Sequence, residues 1–241
     1  MSLRLGVRAS LLLIALSAIA CSDSSPAPPV APPDDAGAPS DANAPETSAP
    51  VDAAPPDPPL GKNPYGAAYP TLHLGWRVRE SATPGEVIPN LTFVGLLPGA
   101  TAPSRVQMAD AYDPEGRTHD LVVVCLINLD GLADSLLGPI AAGRPARTAV
   151  MVAVGNGKGF NVPATAADLQ PARAKLPFGL TVIDPSFQSF LPNLTLQGLP
   201  SLVYLDARTM ELVQVQSGVP GNPVATIAAI RDEVKARPPA Y

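Results

Sequence analysis

Few side chains in this sequence could carry out chemistry, and the cysteine thiols and histidine imidazoles are the first candidates. Of the 241 residues only two are cysteine, Cys21 and Cys125, and only two are histidine, His73 and His119. Cys125 stands inside a run of valines and leucines, where a thiol is expected to be buried, to have a raised pKa and to be inert. The chain has no CxxC or HExxH motif and no acidic cluster, so the sequence predicts neither a metal site nor a cofactor.

Two acidic residues and a glycine-rich stretch are the other candidates for chemistry. Asp130 and Asp134 fall in the first turn of a predicted helix, where carboxylates stabilise the helix dipole, and no partner base is evident. Gly155 to Val162 (GNGKGFNV) contains three glycines and Lys158 but lacks the GxxxxGK[ST] order of a phosphate-binding loop, so we interpret it as a surface loop. No GxSxG motif is present, which argues against a serine hydrolase.

One strand, one turn and one helix must position these residues. Leu121 to Ile127 is an unbroken apolar run rich in valine, which is typical of a strand covered on both faces. Asp130 and Gly131 supply a turn. From Leu132 to Ile140 the apolar residues recur at helical spacing, so the sequence predicts a buried strand that leads through an acidic turn into a helix.

The other predicted elements follow this unit in a regular order. Strands are predicted at Thr148–Val154 and Leu180–Asp184, a hairpin at Ser201–Asp206 and Glu211–Gln216, and helices at Thr165–Lys175 and from Asn222 onward. Before the unit, the sequence predicts an irregular segment at Asn63–Val87, an edge strand or hairpin at Ile88–Leu97 and a short helical turn at Val106–Tyr112. This order indicates an α/β domain, residues 63–241, with a mixed sheet and helices on both faces.

The first 62 residues have a different character. Residues 1–20 carry Arg4 and Arg8 before an apolar run, which is typical of a secretion signal. The residues before Cys21 resemble a bacterial lipoprotein signal, which implies that Cys21 is lipidated and anchors the protein to a membrane. Ser22 stands where an aspartate would retain such a protein at the inner membrane, so the outer membrane is favoured. Residues 21–62 are rich in Pro, Ala and Asp and predict a disordered tether.

The distribution of charge bears on possible partners. The formal net charge is −5, and most of it comes from the acidic tether, which leaves residues 63–241 close to neutral. A near-neutral domain without a basic cluster argues against nucleic acid as a partner. With Cys21 lipidated, Cys125 has no second thiol with which to form an intramolecular disulfide.

Several local sequences, taken in order, resemble the thioredoxin superfamily and in particular its extracytoplasmic TlpA, redoxin and peroxiredoxin-like branch. They are IPNLTFVG, LVVVCLI, AVMVAVGNG, LTVIDP and GLPSLVYLD, within Glu86 to Lys235. The resemblance implies a thioredoxin-like fold. It also implies a cis peptide bond before Pro200, facing the turn at Leu129 to Ala133.

The active-site turn departs from the family's pattern. By the resemblance, Asp130 falls near the first cysteine of the Cys-x-x-Cys pair, Ala133 near the second, and Leu129 replaces the usual tryptophan. Thiol–disulfide exchange needs an attacking thiolate and a second, resolving thiol. The whole degenerate turn, Leu129, Asp130, Gly131, Leu132 and Ala133, contains no thiol.

Three functions are compatible with this sequence. The first is a redox-inactive, envelope-tethered, monomeric domain that binds a protein or peptide in a groove lined by Leu129, Asp130, Leu132, Leu199 and Pro200. The second is a thiol–disulfide oxidoreductase or peroxidase that acts through Cys125 alone. The third is a small-molecule or structural role in the envelope, with the fold kept as a scaffold.

Overall fold

The computed structural model describes residues 63–71, 76–80, 83–159, 161–192 and 194–237. The predicted signal at residues 1–20, the tether at 21–62 with the lipidation site Cys21, and His73 lie outside the described residues. No helix within the described ranges is long and apolar enough to cross a membrane.

Seven strands in this part of the chain form one mixed sheet. They are β1 (Thr92–Leu96), β2 (Ser104–Gln107), β3 (Leu121–Asn128), β4 (Thr148–Asn156), β5 (Leu180–Ile183), β6 (Ser201–Asp206) and β7 (Leu212–Ser217). Their order across the sheet is β2-β1-β5-β4-β3-β6-β7. The central strands β5, β4 and β3 are parallel, whereas β1 and β2 on one side and β6 and β7 on the other are antiparallel to their neighbours.

The predicted strand at Leu121 to Ile127 is confirmed, and it is buried on both faces. Successive side chains of a strand point to opposite faces, so β3 divides its apolar residues between two cores. Leu121, Val123, Cys125 and Ile127 belong to one core, and Val122, Val124 and Leu126 to the other. The absence of polar alternation in LVVVCLI therefore reflects two covered faces.

Helices flank the sheet on both faces, as predicted, but they differ in kind. The α-helices are α1 (Gly131–Gly143), α2 (Leu169–Lys175) and α3 (Pro223–Ala236), and all three bury apolar residues in the core that contains Cys125. The other face is covered by two short 3-10 turns, Met108–Ala111 and Pro185–Phe187, and by the irregular segment that contains Tyr69 and Trp76.

Two predicted elements differ from the structure. The helical turn predicted at Val106–Tyr112 begins inside strand β2 and becomes helical only at Met108. The stretch Ile88–Leu97 does form a hairpin, β1 with β2, but β1 is an interior strand and β2 is the edge. Strand β2 has only four residues, and Val106 is the one that is fully buried. So short a stretch shows too little alternation of apolar and polar residues to be predicted as a strand.

Buried charges hold the irregular segment to the hairpin formed by β6 and β7. Arg79 is 5% exposed, and its Nε donates to the Glu211 carboxylate at 2.7 Å. Glu211 is fully buried and also accepts a hydrogen bond from the backbone N–H of Gly85. Asp206, likewise fully buried, lies 3.4 Å from Arg79 and 2.9 Å from Arg208. These ion pairs therefore fix the irregular segment against the hairpin.

Candidate functional site

The turn between β3 and α1 is stabilised by its own aspartate. Asp130 is the N-cap of α1, and its Oδ1 accepts hydrogen bonds from the backbone N–H groups of Leu132 at 3.0 Å and Ala133 at 3.2 Å. Asp134 lies in the first turn and forms an ion pair with Lys175. Because the carboxylate of Asp130 satisfies the free N–H groups that begin a helix, the residue has a structural role.

The residues of the turn are exposed to different extents. Asp130 and Gly131 are exposed, and Leu132 is 53% exposed. Ala133, by contrast, is 1% exposed and Leu129 is 9% exposed, and both belong to the core that contains Cys125. Leu129, which the sequence placed in the groove lining, is mostly buried in the core and also borders a cavity beside the turn.

The strand register brings this turn beside Pro200. Leu126 of β3 pairs with Ser201 at the start of the antiparallel strand β6. Pro200 directly precedes Ser201, and Ile127 directly follows Leu126. The Leu199–Pro200 peptide bond is cis, as the resemblance implied. The turn and this bond therefore lie at the same end of the sheet, on neighbouring strands.

The chain has a thioredoxin-like fold. Its central strand β3 leads into a helix, a parallel strand follows, and the cis Leu199–Pro200 bond precedes an antiparallel hairpin and a final helix. Pro200 is buried and Leu199 is half-buried against the core on the other face of the sheet.

Comparisons with solved structures return several similar chains. Similar structures include the thioredoxin domain of a thiol-disulfide oxidoreductase from Bacteroides vulgatus (13% identity, 62% of this chain and 99% of that chain, TM-score 0.43). Others are a putative thiol:disulfide interchange protein DsbE from Chlorobium tepidum (17%, 65% and 98%, 0.42) and an exposed lipoprotein thioredoxin, Etrx1, from Streptococcus pneumoniae (17%, 61% and 99%, 0.39). No family model and no curated protein matches the chain.

The thioredoxin-like domain leaves the backbone beside its cis bond unpaired. Among the described residues, neither the N–H nor the C=O of Leu199 makes a hydrogen bond, whereas the carbonyl of Pro200 accepts one from Gly218 at 2.7 Å. Val219, the next residue, is 36% exposed. Two exposed apolar side chains therefore lie at this end of the sheet: Leu132 at the start of α1, and Val219 just after β7.

Cys125 lies in the middle of β3, between Val152 of β4 and Leu202 of β6. Its side chain is fully buried, and burial raises the pKa of the thiol from the usual 9.0 to about 12. A thiolate is the reactive form of cysteine, so both properties oppose nucleophilic chemistry. The prediction that Cys125 is a buried core residue is confirmed.

Two asparagines near the turn were missed in the sequence, and Lys158 was assigned only to a surface loop. Asn156 Nδ2 donates to Asn128 Oδ1 at 3.0 Å, and the Asn156 carbonyl accepts from the Leu129 N–H at 3.0 Å. Asn128, Asp130 and the exposed Lys158 border a cavity of about 350 Å³. The carboxyl ends of parallel strands lie together, so an asparagine ending each of two apolar strands was a signal that could have identified this pair.

The side chains that could hold a metal are described for residues 63–71, 76–80, 83–159, 161–192 and 194–237. Within the described residues, no group of three or more His, Cys, Asp or Glu side chains is arranged around a common point. His119 is half-buried just before β3, and burial is the main cause that lowers its pKa. Its nearest charged neighbours are Asp113, Arg147 and Asp120, which act in both directions on that pKa.

Proposed function

We propose that this thioredoxin-like domain binds an extended polypeptide beside the Leu199–Pro200 bond and carries out no thiol chemistry there. The observation that carries the proposal is the free backbone of Leu199. An unpaired N–H and C=O on one residue can pair with an extended chain in the way that a sheet edge does. Leu132, which is 53% exposed on the turn at the same end of the sheet, supplies apolar surface for the same polypeptide.

The remainder of the turn supports binding over catalysis. Asp130 stands near the first catalytic cysteine position of the resembling family, and its carboxylate is engaged in capping α1. Cys125, the one thiol of residues 63–241, is fully buried in β3. A bound polypeptide would therefore meet a carboxylate, apolar side chains and backbone groups, which can hold a chain but cannot form a mixed disulfide.

We also propose that the protein is held at the bacterial cell envelope through a lipid on Cys21, at the outer membrane. The apolar segment before Cys21 and the Pro- and Ala-rich stretch after it support this location. A long tether would let the domain reach partners away from the membrane surface, which suits a binding module.

Binding of a thiol-blocked polypeptide tests the proposal. The probe is the insulin B chain, reduced and alkylated so that no disulfide can form, titrated into the full-length chain by calorimetry. We expect saturable binding that Leu132→Asp weakens about tenfold, because burying a leucine is worth about 1.5–3 kcal/mol and 1.4 kcal/mol corresponds to tenfold in affinity.

Val94→Asp is the matched control for that change. Val94 is 54% exposed, close to the 53% of Leu132, and lies on β1, which is separated from β6 by β5, β4 and β3. At about 4.8 Å per strand, β1 lies about 19 Å from β6, beyond the groove. Absence of binding, or equal effects of the two substitutions, would show that the groove is not the binding surface.

A further inference from the structure

A second cavity lies at the opposite end of the sheet from the turn. It has a volume of about 450 Å³ and forms where the parallel strands β4 and β5 begin. Its walls are mostly apolar, with Leu97, Val150 and Phe178 among them, and its polar lining residues are Asp110, His119, Arg144 and Thr148. Cavities that hold small molecules have about 300–1,000 Å³ and mostly apolar walls with a few polar groups, so this one has the size and character of a ligand site.

The wall of this cavity is held in place without a ligand. Arg173 donates hydrogen bonds to the carbonyls of Leu97 at 2.8 Å and Pro177 at 3.1 Å, and so joins the end of β1 to the segment that carries Phe178. Between Phe178 and Leu180, a Cβ on Gly179 would lie 2.9 Å from the Val150 carbonyl oxygen, so this segment packs directly on β4. The cavity is therefore preformed.

Arg144 places an unpaired positive charge on the cavity. Its guanidinium lies 5.0 Å from the centre of the Phe178 ring. Arg147 and Arg208 both form ion pairs with aspartates, whereas Arg144 has none within the described part of the chain. Arg144 also has a φ of 25° at the end of α1, a backbone conformation that favours glycine. A guanidinium stacked on an aromatic ring keeps its N–H groups free to bind a carboxylate.

Asp110 places an unpaired negative charge on the same cavity. The side chain is half-buried, and its Oδ2 accepts one hydrogen bond, from the backbone N–H of Gln107 at 2.7 Å. No cation pairs with it among the described residues, and burial raises its pKa. Asp110 and Arg144 therefore line one cavity without satisfying each other.

We propose that this cavity binds a small zwitterion with an apolar body, of the free amino-acid class. Arg144 binds its carboxylate, Asp110 binds its ammonium group, and its side chain lies against Phe178. A zwitterion satisfies both unpaired charges at once, while an apolar body replaces water on the walls. This site is separate from the groove at Leu199, so evidence against polypeptide binding would not count against it.

The test follows the backbone amide resonances of the full-length chain by NMR during titration with L-phenylalanine and L-leucine. We expect saturable shifts confined to the beginnings of β4 and β5 and to the residues around Leu97. Each charge is then tested with an analogue: 3-phenylpropanoate lacks the ammonium group and 2-phenylethylamine lacks the carboxylate. Each should bind the unaltered protein about tenfold more weakly or worse than phenylalanine, since it loses a charge-assisted interaction.

Two substitutions assign the charges to their residues. Arg144→Gln should weaken phenylalanine and 3-phenylpropanoate about tenfold and leave 2-phenylethylamine unchanged. Asp110→Asn, which keeps an acceptor for Gln107, should weaken phenylalanine and 2-phenylethylamine and leave 3-phenylpropanoate unchanged. Arg117→Gln is the control, because Arg117 forms an exposed ion pair with Glu115 away from the cavity lining.

Several results would overturn this site. They are the absence of saturable shifts with both amino acids, shifts centred on the turn at Asp130, and analogues that bind as tightly as phenylalanine. Because the analogue comparison uses the unaltered protein, it decides the question even if a substituted protein fails to fold.

Discussion

The reactivity of Cys125 is the property of this protein whose measurement separates binding from thiol chemistry. With its pKa raised from 9.0 to about 12, the thiol carries about a thousandfold less thiolate near neutral pH than an ordinary cysteine. The side chain is also fully buried, so a reagent can reach it only when the domain opens. Labelling through opening of the whole domain, in which the thiol regains its ordinary pKa, costs about 5–15 kcal/mol and is slowed by a factor of roughly five thousand or more. We expect no measurable reaction in the folded state within hours.

The assay compares two forms of the full-length chain. Cys21→Ser leaves Cys125 as the sole thiol, and Cys21→Ser combined with Cys125→Ala leaves none; the reaction of the first form in urea is the control for reagent activity. Each is mixed with a chromogenic disulfide reagent from pH 6 to pH 10, first folded and then in urea. Labelling of Cys125 should rise with urea in parallel with global unfolding, because the reactive species is the unfolded chain.

Stability at alkaline pH gives an independent reading of the same thiol. A raised pKa means that the unfolded chain loses the proton first, so the contribution of the protonated thiol is complete below about pH 9 and is lost as the pH rises towards 12. Cys125→Ala should remove that part of the alkaline dependence. Fast labelling in the folded state, with an apparent pKa well below about 8.5, would refute the assignment of Cys125 to the core and would favour the single-thiol enzyme.

Two further predictions concern buried and partly buried charges. Glu211→Ala should lower the free energy of unfolding by about 3–5 kcal/mol in urea titrations, because it leaves Arg79 buried without its main partner. Glu211→Gln should lower it less. A loss below about 1 kcal/mol for the alanine variant would contradict the role of this ion pair. The pKa of Asp120 is lowered chiefly by its hydrogen bonds to Arg147, at 2.7 and 2.8 Å. The stability that this carboxylate contributes is therefore present above about pH 4 and is lost as the pH falls through the folded pKa. The Asp120→Asn variant should be less stable at pH 7, and its melting temperature should fall less steeply at acid pH. An unchanged acid dependence of the melting temperature would contradict this.

The central strand and its helix could be predicted because their signals are local. LVVVCLI is too apolar and too short for anything except a strand covered on both faces, and Asp130 followed by Gly131 marks the start of α1. The final helix carried equally local signals: Asn222 caps it through the N–H of Ala225, and Pro223 is its first residue.

What the sequence did not disclose depends on residues far apart in the chain. Arg79 and Glu211 are separated by 132 positions, and no periodicity connects them. The larger cavity is built from residues as distant as Leu97 and Phe178, so its existence depends on the sheet order. Leu129 was placed in the groove as part of the turn, and only the packing of the folded domain shows how much of its side chain is buried in the core.

The two ends of the sheet differ in whether their polar groups are satisfied, and this difference determines what each end can do. At the turn, Asp130 caps α1 and Asn128 pairs with Asn156, which leaves the backbone of Leu199 as the free hydrogen-bonding surface beside the cis bond. A backbone donor and acceptor recognise a main chain without regard to sequence, so selectivity must come from apolar neighbours such as Leu132. At the other end, the charged groups without an ion-pair partner in the described part of the chain are a guanidinium and a carboxylate, which recognise charge, and His119 Nδ1 beside them also has no hydrogen-bond partner. The fold thus offers one surface suited to an extended chain and another suited to a small charged molecule, and neither requires a thiol.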